Sequence, residues 1–443
     1  MRISIIGTGY VGLVSGACLA EVGHDVTCVD VDPAKVEAIN AGRAPIHEAG
    51  LPELLQRTVG RSLRATADLA GAVQASDVTF IAVGTPAADG KIDLQFVRRA
   101  AEQIGAAMRG KPGRHTVVVK STVIPGTTDG PVREALEAGS GLVAGRDFGL
   151  GMNPEFLTEG QALEDFMRPD RIVLGGIDEQ TRDLLAAIYA PFAGAPVIRT
   201  NNKTAEMIKY ASNAALATMI SFANEFGRLC STLGDVDVRD VMRGVHASTY
   251  FTSRLPDGTP VKAAITSFLE AGCGYGGSCL PKDVTALVAQ GRDHGLPMSM
   301  LASVLEINAG QPGEVLRLVH KHVPDLKGVR VAVLGIAFKP DTDDVRESPA
   351  FPIIRLLRQE GAVVSAYDPI ARPAGHPGLA GVQLVQSMRE ALEGAAIVVL
   401  VTRWSEFQQL PGVLREMGST PLVVDGRRVL EPSAFRAYEG IGR

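Results

Sequence analysis

A cysteine stands between paired glycines and a Lys-Asp pair in the stretch GGSCLPKD at residues 276–283. The glycines would let main-chain N–H groups approach a ligand closely, and Pro281 is typical of the start of a helix, here one running through DVTALVAQ. A helix N-terminus and a nearby lysine both stabilise a thiolate. Cys279 is therefore a candidate nucleophile with Asp283 one turn away, although the loop alone fits a structural thiol in a tight turn equally well.

A second candidate pair lies on a long helical pattern in the middle of the chain. Lys209 and Asn213 are spaced i, i+4, so both side chains project from one helix face. An ammonium and an amide on one face could stabilise a developing oxyanion, as acyl chemistry requires. The alternative for this pair alone is a solvated helix face.

Three short polar segments follow apolar strand patterns. They are VGTP at 83–86, KSTV at 120–123 and NPEFL at 153–157, of which the last offers the carboxylate of Glu155. Open α/β sheets bind ligands at the carboxyl ends of their strands, so these segments could border one site. Each segment alone could also be a capped turn.

The glycines of GTGYVG follow the first predicted strand and open a predicted helix. Gly7 permits a tight turn, Gly9 lets the main chain approach a pyrophosphate, and Gly12 allows close helix packing. Asp30, at the end of the next strand, could bond a ribose 2′-hydroxyl and would repel a 2′-phosphate. The pattern predicts a dinucleotide site that favours NAD over NADP. Asp32, which precedes a proline, is expected to start a helix.

The elements that must position these residues alternate between strand and helix patterns in two regions of the chain. This rhythm predicts an α/β fold with two open sheets, the first being parallel, separated by a helical segment with no strand between Lys203 and Gly274. We expect domains at 1–200, 201–305 and 325–443. The strand candidates are RISIIG, DVTCVD, DVTFIAVG, HTVVVKST, DFGLGMNP, RIVLGG, VRVAVLG, AVVSAYDP, AAIVVLVT and PLVVDGRR.

Composition excludes several other classes of protein. The 443 residues are 46% hydrophobic and 21% charged with a net charge of −5, which gives no reason to expect a nucleic acid or a membrane as partner. The five cysteines are scattered and read as reduced thiols, with Cys18, Cys28 and Cys230 as small core residues. No metal-binding motif is present. A strand that begins at residue 2 leaves no room for a signal peptide, so a cytoplasmic location is expected.

Taken together, the motifs resemble the UDP-glucose/GDP-mannose dehydrogenase family over nearly the whole chain and in family order. The resemblance implies two Rossmann-like doubly wound domains joined by a long central helical region that forms a homodimer. The motifs that carry it are GTGYVGL with Asp30, VGTP, KSTVIPGT, NPEFL, AEMIKYASN, GYGGSCLPKD, GIAFKPDTDDVRES and VDGRR.

The implied reaction is a four-electron oxidation of a nucleotide sugar from alcohol to carboxylate, with two NAD used in turn. Cys279 would capture the aldehyde as a thiohemiacetal, and a second hydride loss would give a thioester that water hydrolyses. UDP-glucose, giving UDP-glucuronate, is the first expected substrate. GDP-mannose is the main alternative, since both branches of the family share GGSCLPKD, and a UDP-N-acetylated hexose is less favoured.

The resemblance also assigns roles by position. Lys209 and Asn213 would stabilise oxyanions, and Asp283 would assist proton transfer through water. Glu155 would help hydrolysis, while Thr122 would order the water and contact the nicotinamide side. Lys35, Thr85 and Arg346 match positions near the cofactor, Lys339 and Arg427 match positions that contact the substrate's phosphates and sugar, and the pocket would be shaped by Phe156, Leu157, Phe268, Leu269, Tyr275 and Gly276.

The chain departs from the family pattern at one position. Where many relatives carry an arginine that reaches into the neighbouring subunit, Ala263 stands, and Arg254 or Lys262 could take that place after realignment. Cys273 is expected to be a packing residue. Two other readings stay open at this point: a catalytically silent nucleotide-sugar binding protein, and a two-electron NAD enzyme that makes one NADH per substrate.

Overall fold

The computed structural model describes residues 1–88, 90–192 and 194–443 of the chain. These residues form two compact units, Met1–Ser212 and Asn213–Arg443, and the 32-residue helix α9 (Asn202–Leu233) contains the boundary between them. Within the described residues, no helix is both long and apolar enough to cross a membrane. The predicted division into three domains stays a prediction.

The described part of the first unit is built on one eight-stranded sheet in the order β10-β9-β8-β7-β4-β1-β2-β3. The order of the strands reverses between β1 and β4: β2 and β3 extend the sheet on one side of β1, and β4 and the later strands extend it on the other. Open α/β sheets bind ligands at such a reversal. The strands are β1 (Arg2–Ile6), β2 (Asp25–Val29), β3 (Leu63–Thr66), β4 (Val78–Ile81), the small antiparallel pair β5 (Ala87–Ala88) and β6 (Lys91–Ile92), β7 (Thr116–Val119), β8 (Gly149–Met152), β9 (Ile172–Gly176) and β10 (Val197–Thr200).

Helices cover both faces of this sheet, so its central strands are buried on both sides. Ile3 and Ile5 of β1 point into one core cluster and Ile6 into the other, as the two-residue period of a strand requires. The helices of this unit that precede α9 are α1 (Tyr10–Glu21), α2 (Pro33–Asn40), α3 (Leu51–Thr58), α4 (Leu69–Ala75), α5 (Gln95–Met108), α6 (Arg133–Ser140), α7 (Ala162–Met167) and α8 (Glu179–Ile188).

The prediction of a parallel first sheet is wrong for two strands, β9 and β10, which run opposite to the other six. β9 runs antiparallel to β8, with Gly151 opposite Gly176 and Met152 opposite Gly175. An antiparallel neighbour needs no crossover over the face of the sheet, so the chain can return directly after the loop that holds Glu155 and the short helix α7. An apolar run such as RIVLGG carries no information about strand direction.

The second unit carries a six-stranded, all-parallel sheet in the order β15-β14-β13-β16-β17-β18. This confirms the second open sheet. Its helices are α10 (Val238–His246), α11 (Leu280–Asp293), α12 (Ser299–His320), α13 (Ala350–Gln359), α14 (Met388–Leu392) and α15 (Leu410–Glu416), and its strands are the pair β11 (Thr252–Arg254) and β12 (Pro260–Lys262), then β13 (Arg330–Leu334), β14 (Val363–Tyr367), β15 (Gln383–Leu384), β16 (Ile397–Leu400), β17 (Leu422–Asp425) and β18 (Ala437–Gly440).

The expectation of no strand between Lys203 and Gly274 is also wrong. β11 and β12 form an antiparallel hairpin, with Thr252 opposite Lys262. The tip of the hairpin is closed by the Asp257 carboxylate, which accepts a hydrogen bond from the Thr259 amide at 2.9 Å. The Pro-Asp-Gly sequence at 256–258 is typical of a turn between short strands, so the hairpin could have been predicted from the sequence.

Candidate active site

The glycine turn after β1 has the geometry of a dinucleotide cradle. Gly7 has φ of +100°, and a Cβ there would lie 2.7 Å from the Ala82 carbonyl oxygen. A Cβ at Gly12 would lie 1.9 Å from the Gly7 carbonyl oxygen, so α1 can approach β1 only with glycine at this position. Gly9 caps α1, and nothing lies within 4 Å of where its Cβ would be. The first turn of α1 is thus open to a phosphate.

Asp30 lies at the end of β2 and holds the same turn. Its Oδ2 accepts a hydrogen bond from the Thr8 amide at 2.9 Å, and Lys35 Nζ lies 3.9 Å from that oxygen. Burial alone would raise the pKa of Asp30, but the Thr8 hydroxyl and the amides of Asp32 and Thr8 outweigh it, so the pKa is lowered. The side chain is therefore a carboxylate, suited to a ribose hydroxyl and repulsive to a 2′-phosphate.

Asp32 has the role predicted for it. It is the N-cap of α2, and its Oδ1 accepts a hydrogen bond from the Ala34 amide at 2.9 Å. Two further residues assigned to the cofactor lie in loops at the same edge of the sheet. Thr85 follows β4 and Thr122 follows β7, and both are half-buried.

A buried ion pair joins α9 to the loop after β8. Lys209 Nζ lies 3.0 Å from Glu155 Oε1, and the two side chains are 5% and 6% exposed. The other oxygen of Glu155 accepts a hydrogen bond from the Leu157 amide at 2.6 Å. Burial alone would raise the pKa of Glu155, but the Lys209 charge and the Leu157 amide outweigh it and lower the pKa. Glu155 is therefore ionised.

Phe156 packs between two cations. The Arg171 guanidinium lies 3.7 Å from its ring centroid, and Lys209 Nζ lies 5.5 Å from it. Arg171 Nη2 also donates to Ser212 Oγ on α9 at 3.2 Å. The aromatic ring thereby fixes the position of Lys209 relative to the loop that bears Glu155.

A third cation lies in the same region. Lys120, directly after β7, is 3% exposed, and its Nζ donates to Asn153 Oδ1 at 2.9 Å and to Tyr189 Oη at 3.3 Å. Lys120 and Asn153 belong to strand-end segments that the sequence predicts to border a site, but the sequence assigns neither residue a role of its own. The signal that could have found Lys120 is a lysine that directly follows the four-residue apolar strand TVVV, because such a position lies at the carboxyl edge of the sheet.

Cys279 is the N-cap of α11, and its thiol is exposed. Asp283, in the first turn of α11, donates its amide to the Cys279 carbonyl at 2.9 Å. The Asp283 side chain is 1% exposed; one oxygen accepts from Asn213 Nδ2 at 2.7 Å and the other from Lys282 Nζ at 2.6 Å. The N-terminal end of α11 thus presents a thiol beside a buried carboxylate whose geometry is fixed by an amide of α9.

The glycine loop before Cys279 is closely packed. A Cβ at Gly276 would lie 2.1 Å from the Glu347 carbonyl oxygen, and one at Gly277 would lie 2.7 Å from the Phe338 ring. The Gly277 amide donates to the Arg346 carbonyl at 2.9 Å. Residues 338–348 pack so closely against this loop that it needs glycine at both positions. This structural reason adds to the ligand access that the sequence indicates.

Polar side chains hold the rest of this loop through its main chain. Asn308 of α12 bonds Tyr275 in both directions, its Oδ1 accepting from the amide at 2.8 Å and its Nδ2 donating to the carbonyl at 3.0 Å. Asn224 of α9 accepts from the Gly272 amide at 2.7 Å. Arg427 donates to the Gly274 carbonyl at 2.8 Å and to the Val401 carbonyl at 2.6 Å. Arg427 therefore supports the loop as well as being a candidate substrate ligand.

The remaining candidates of the second unit lie in or near these same segments. Arg346 forms a fork with Asp344, at 2.8 Å from Nε and 2.7 Å from Nη2. Lys339 is half-buried beside Phe338, and Phe268 and Leu269 end a short 3₁₀ turn, Phe268 half-buried and Leu269 2% exposed.

The region around Ala263 carries the hairpin. Ala263 is exposed and donates its amide to the Phe251 carbonyl at 3.0 Å. Lys262 is exposed on β12, and Arg254 Nη1 donates to the Gly258 carbonyl at 3.1 Å. The replacement of the family's arginine by Arg254 or Lys262 stays a prediction.

The other cysteines are core residues. Cys18, Cys28, Cys230 and Cys273 are buried, and no disulfide occurs in the part of the chain that the structure describes. Burial raises the pKa of both Cys18 and Cys28 to about 12. These thiols are inert at neutral pH, as their interpretation as small hydrophobic residues predicts. Over the described ranges, no cluster of three His, Cys, Asp or Glu side chains could hold a metal.

Comparison with known proteins gives the family. Three domains of the UDP-glucose/GDP-mannose dehydrogenase family match consecutive parts of the chain: the NAD-binding domain at residues 1–193, the central domain at 203–310 and the UDP-binding domain at 332–432. The chain belongs to this family. It is an NAD-dependent dehydrogenase of nucleotide sugars, and the open cradle at Gly9 with the ionised Asp30 fits NAD.

Individual relatives in the family agree with this assignment. The UDP-glucose 6-dehydrogenase of Haloferax volcanii is 41% identical over the full length of both chains. The GDP-mannose 6-dehydrogenase of Pseudomonas aeruginosa is 42% identical over 83% of this chain and 81% of its own. Among solved structures, a UDP-glucose dehydrogenase from Pyrobaculum islandicum has a TM-score of 0.89 at 39% identity, covering 99% of this chain and 97% of its own.

Proposed function

We propose that this dehydrogenase oxidises the C6 alcohol of UDP-glucose to the carboxylate of UDP-glucuronate through a covalent intermediate on Cys279. The observation that carries the proposal is the exposed thiol at the N-terminus of α11, beside a buried Asp283 that is bonded to Asn213. A nucleotide-sugar dehydrogenase that stopped at the aldehyde would need no nucleophile there. The relatives named UDP-glucose 6-dehydrogenase support the choice of sugar.

The first oxidation converts the C6 alcohol to an aldehyde. The glycine turn and Asp30 would hold NAD, which would supply the hydride acceptor for both oxidations. The hydroxyl proton passes to water with the assistance of the Asp283 carboxylate. Lys209 and Asn213, one turn apart on α9, stabilise the negative charge that develops on the oxygen. Lys209 pairs with Glu155 in the first unit, and Asn213 bonds Asp283 in the second.

The second oxidation takes place on the enzyme. The Cys279 thiolate attacks the aldehyde carbon, a C–S bond forms, and the carbonyl electron pair moves to oxygen as a thiohemiacetal. Loss of the second hydride restores the C=O bond and leaves a thioester. The N-terminus of α11 and the adjacent Lys282 stabilise the thiolate before attack.

Hydrolysis completes the reaction. Glu155 accepts a proton from water, the hydroxide oxygen adds to the thioester carbonyl, and the C–S bond breaks to release the Cys279 thiolate and the carboxylic acid, which loses its proton to solvent. A general base must be unprotonated at the working pH, and the lowered pKa of Glu155 meets that requirement. Its ion pair with Lys209 also fixes the direction of the carboxylate.

The stoichiometry of NADH formation tests the proposal. With UDP-glucose limiting and NAD in excess, the completed reaction should give about two NADH per sugar, as paired hydride transfers require. A value near one would mean that the aldehyde leaves or that the thiol is idle, and would refute the covalent route. No NADH with UDP-glucose but turnover of GDP-mannose would move the assignment to that sugar, which the Pseudomonas aeruginosa relative favours. Saturable binding of several nucleotide sugars with no NADH at all would favour the silent binding protein.

We further infer that the enzyme is a homodimer joined through α9. The C-terminal half of this helix exposes four large apolar residues: Phe222 at 43%, Phe226 at 36%, Leu229 at 52% and Leu233 at 67%. Their spacing of four, three and four residues puts them on one face of the helix. A continuous exposed apolar row of this length is typical of a protein interface, and a second copy of the same helix is its simplest partner.

Charge substitution on this face should separate the subunits. The double variant Phe226→Lys/Leu229→Lys buries two ammonium groups in the interface, so we expect a monomer at micromolar concentration, where wild type has twice the 46.6 kDa chain mass by analytical ultracentrifugation. Val363→Lys is the matched control, because Val363 is also apolar and 55% exposed but lies on β14. A dimeric Phe226→Lys/Leu229→Lys variant would refute α9 as the interface.

A further inference from the structure

We propose that Lys120 is a positioning residue for the reaction. It sets the charge and the orientation of the Glu155–Lys209 pair and does not touch the substrate. Its catalytic consequence rests on the function proposed above. Lys120 is a fully buried ammonium without a role in the steps described so far, and burying a charge is costly unless the protein uses or compensates it.

The contacts of Lys120 connect three strand ends. Its Nζ donates to Asn153 Oδ1, which also accepts from Tyr189 Oη at 2.6 Å. Asn153 Nδ2 donates to the Val173 carbonyl of β9 at 3.0 Å. Because Asn153 is two residues before Glu155, the ammonium holds the loop that carries the proposed base to β7, β9 and the end of α8.

Among the described residues, two charged groups act on Lys120. Glu155, on the loop after β8, is the anion whose charge favours protonated Lys120, and Lys209, on α9, is a cation that opposes it. Tyr189 follows α8 and stays neutral, because burial raises the pKa of its phenol. Cys18 of α1, close to Tyr189, is a neutral thiol. From α7, the uncharged Phe166 ring faces Lys120, with its centroid 5.6 Å from Lys120 Nζ. Two cations therefore flank one carboxylate.

This arrangement makes the proton on Lys120 sensitive to pH. Burial, more than the repulsion by Lys209, lowers the pKa of Lys120 to about 8. Below that pH the ammonium holds Asn153 in place and adds to the Lys209 charge that lowers the pKa of Glu155. As the pH rises through about 8, Lys120 loses its proton, and Glu155 then has Lys209 as its one remaining cation within this group. The acid-forming step should decline on the alkaline side for this reason.

Three variants separate charge from shape. Lys120→Met removes the charge at similar length, and we expect kcat for acid formation to fall roughly 10- to 100-fold with little change in KM, since misplacing a catalytic group acts on the chemical step. Lys120→Arg keeps a permanent charge, so the decline near pH 8 should vanish. Tyr189→Phe removes an acceptor of the ammonium, so the same decline should move to lower pH. Opposite shifts in the last two variants support the proposal; an unchanged pH profile in both would overturn it.

A second measurement needs no substrate and stays informative if the proposed function fails. In a double-mutant cycle, the melting-temperature loss caused by Lys120→Met should be clearly smaller in a Glu155→Gln background than in wild type, because the partner charge is already gone. Equal losses in both backgrounds would show that Lys120 supports packing alone and would overturn the proposal. Absence of NADH with every sugar tested, together with a positive cycle, would reject the proposed function and retain the Lys120–Glu155 coupling.

Discussion

Cys279→Ser should abolish carboxylate formation, by on the order of 10³-fold or more, while NAD affinity stays within about threefold of wild type. A serine hydroxyl is a far weaker nucleophile than a thiolate at neutral pH. Without covalent capture no thiohemiacetal forms, so the second oxidation lacks its hydride donor. NAD affinity is expected to survive because the glycine turn, Asp30 and Lys35 belong to the first unit, whereas Cys279 belongs to the second.

The measurement separates product from cofactor use. Acid is quantified by chromatography of the nucleotide sugars, and NAD affinity by titration of intrinsic fluorescence or by calorimetry. Cys230→Ser is the control, since Cys230 is a buried thiol on α9 and has no assigned role in the reaction. Full acid production by Cys279→Ser would refute the covalent mechanism, whereas loss of acid in the Cys230→Ser control as well would trace the effect to folding.

The parts of the site that the sequence predicts well are those encoded locally. In the GTGYVG turn, Gly7 and Gly12 are each required by a nearby main-chain atom, such as the Gly7 carbonyl against Gly12. The N-caps at Asp32 and Cys279 follow from the prolines that come directly after or near them. Short-range geometry of this kind is a property of the local sequence, so it can be predicted without a fold.

The parts that the sequence did not predict depend on pairings far apart along the chain. The direction of β9 is decided by the loop and helix before it, and Lys120 meets Asn153 and Tyr189 only because their strand ends and helix end come together in the sheet. The bond between Asn213 and Asp283 joins residues 70 positions apart. An i, i+4 pattern identifies Lys209 and Asn213 as neighbours on a helix, but it gives no information about the carboxylate that each one contacts.

Each of the two sheets has an aspartate at the end of the second strand of its α/β unit, but the two aspartates make different contacts. Asp368, at the end of β14, accepts hydrogen bonds from the Ile336 and Ala337 amides at 2.8 and 2.9 Å and from Trp404 Nε1 at 3.0 Å, and it is 1% exposed. Asp30, at the end of β2, is less enclosed. A carboxylate fully occupied by its own chain cannot bind a ribose. The repeated α/β architecture therefore predicts a nucleotide site in each unit, whereas the aspartates favour a dinucleotide in the first alone.

Lys209→Met should lower acid formation by about 10²- to 10³-fold, the range typical of removing one donor to a developing oxyanion. The same change should destabilise the fold. Lys209 and Glu155 are 5% and 6% exposed, and removing one partner of a buried ion pair leaves a buried charge, at a cost of about 3–5 kcal/mol in the free energy of unfolding. Activity must therefore be measured per folded molecule, with stability followed by denaturant unfolding. Lys203→Met is the matched control, because Lys203 is an exposed lysine two turns earlier on α9.

A second substitution distinguishes the two effects of losing Lys209. In Lys209→Met/Glu155→Gln no charge is left in the pair, so the double variant should regain most of the stability lost by Lys209→Met. It should not regain activity, because both the oxyanion donor and the proposed base are absent. If restored stability brought back acid formation, Lys209 would serve only to compensate Glu155, and the assignment of oxyanion stabilisation to the Lys209 and Asn213 face of α9 would be wrong. Loss of activity in a variant of restored stability is the result that the chemistry requires.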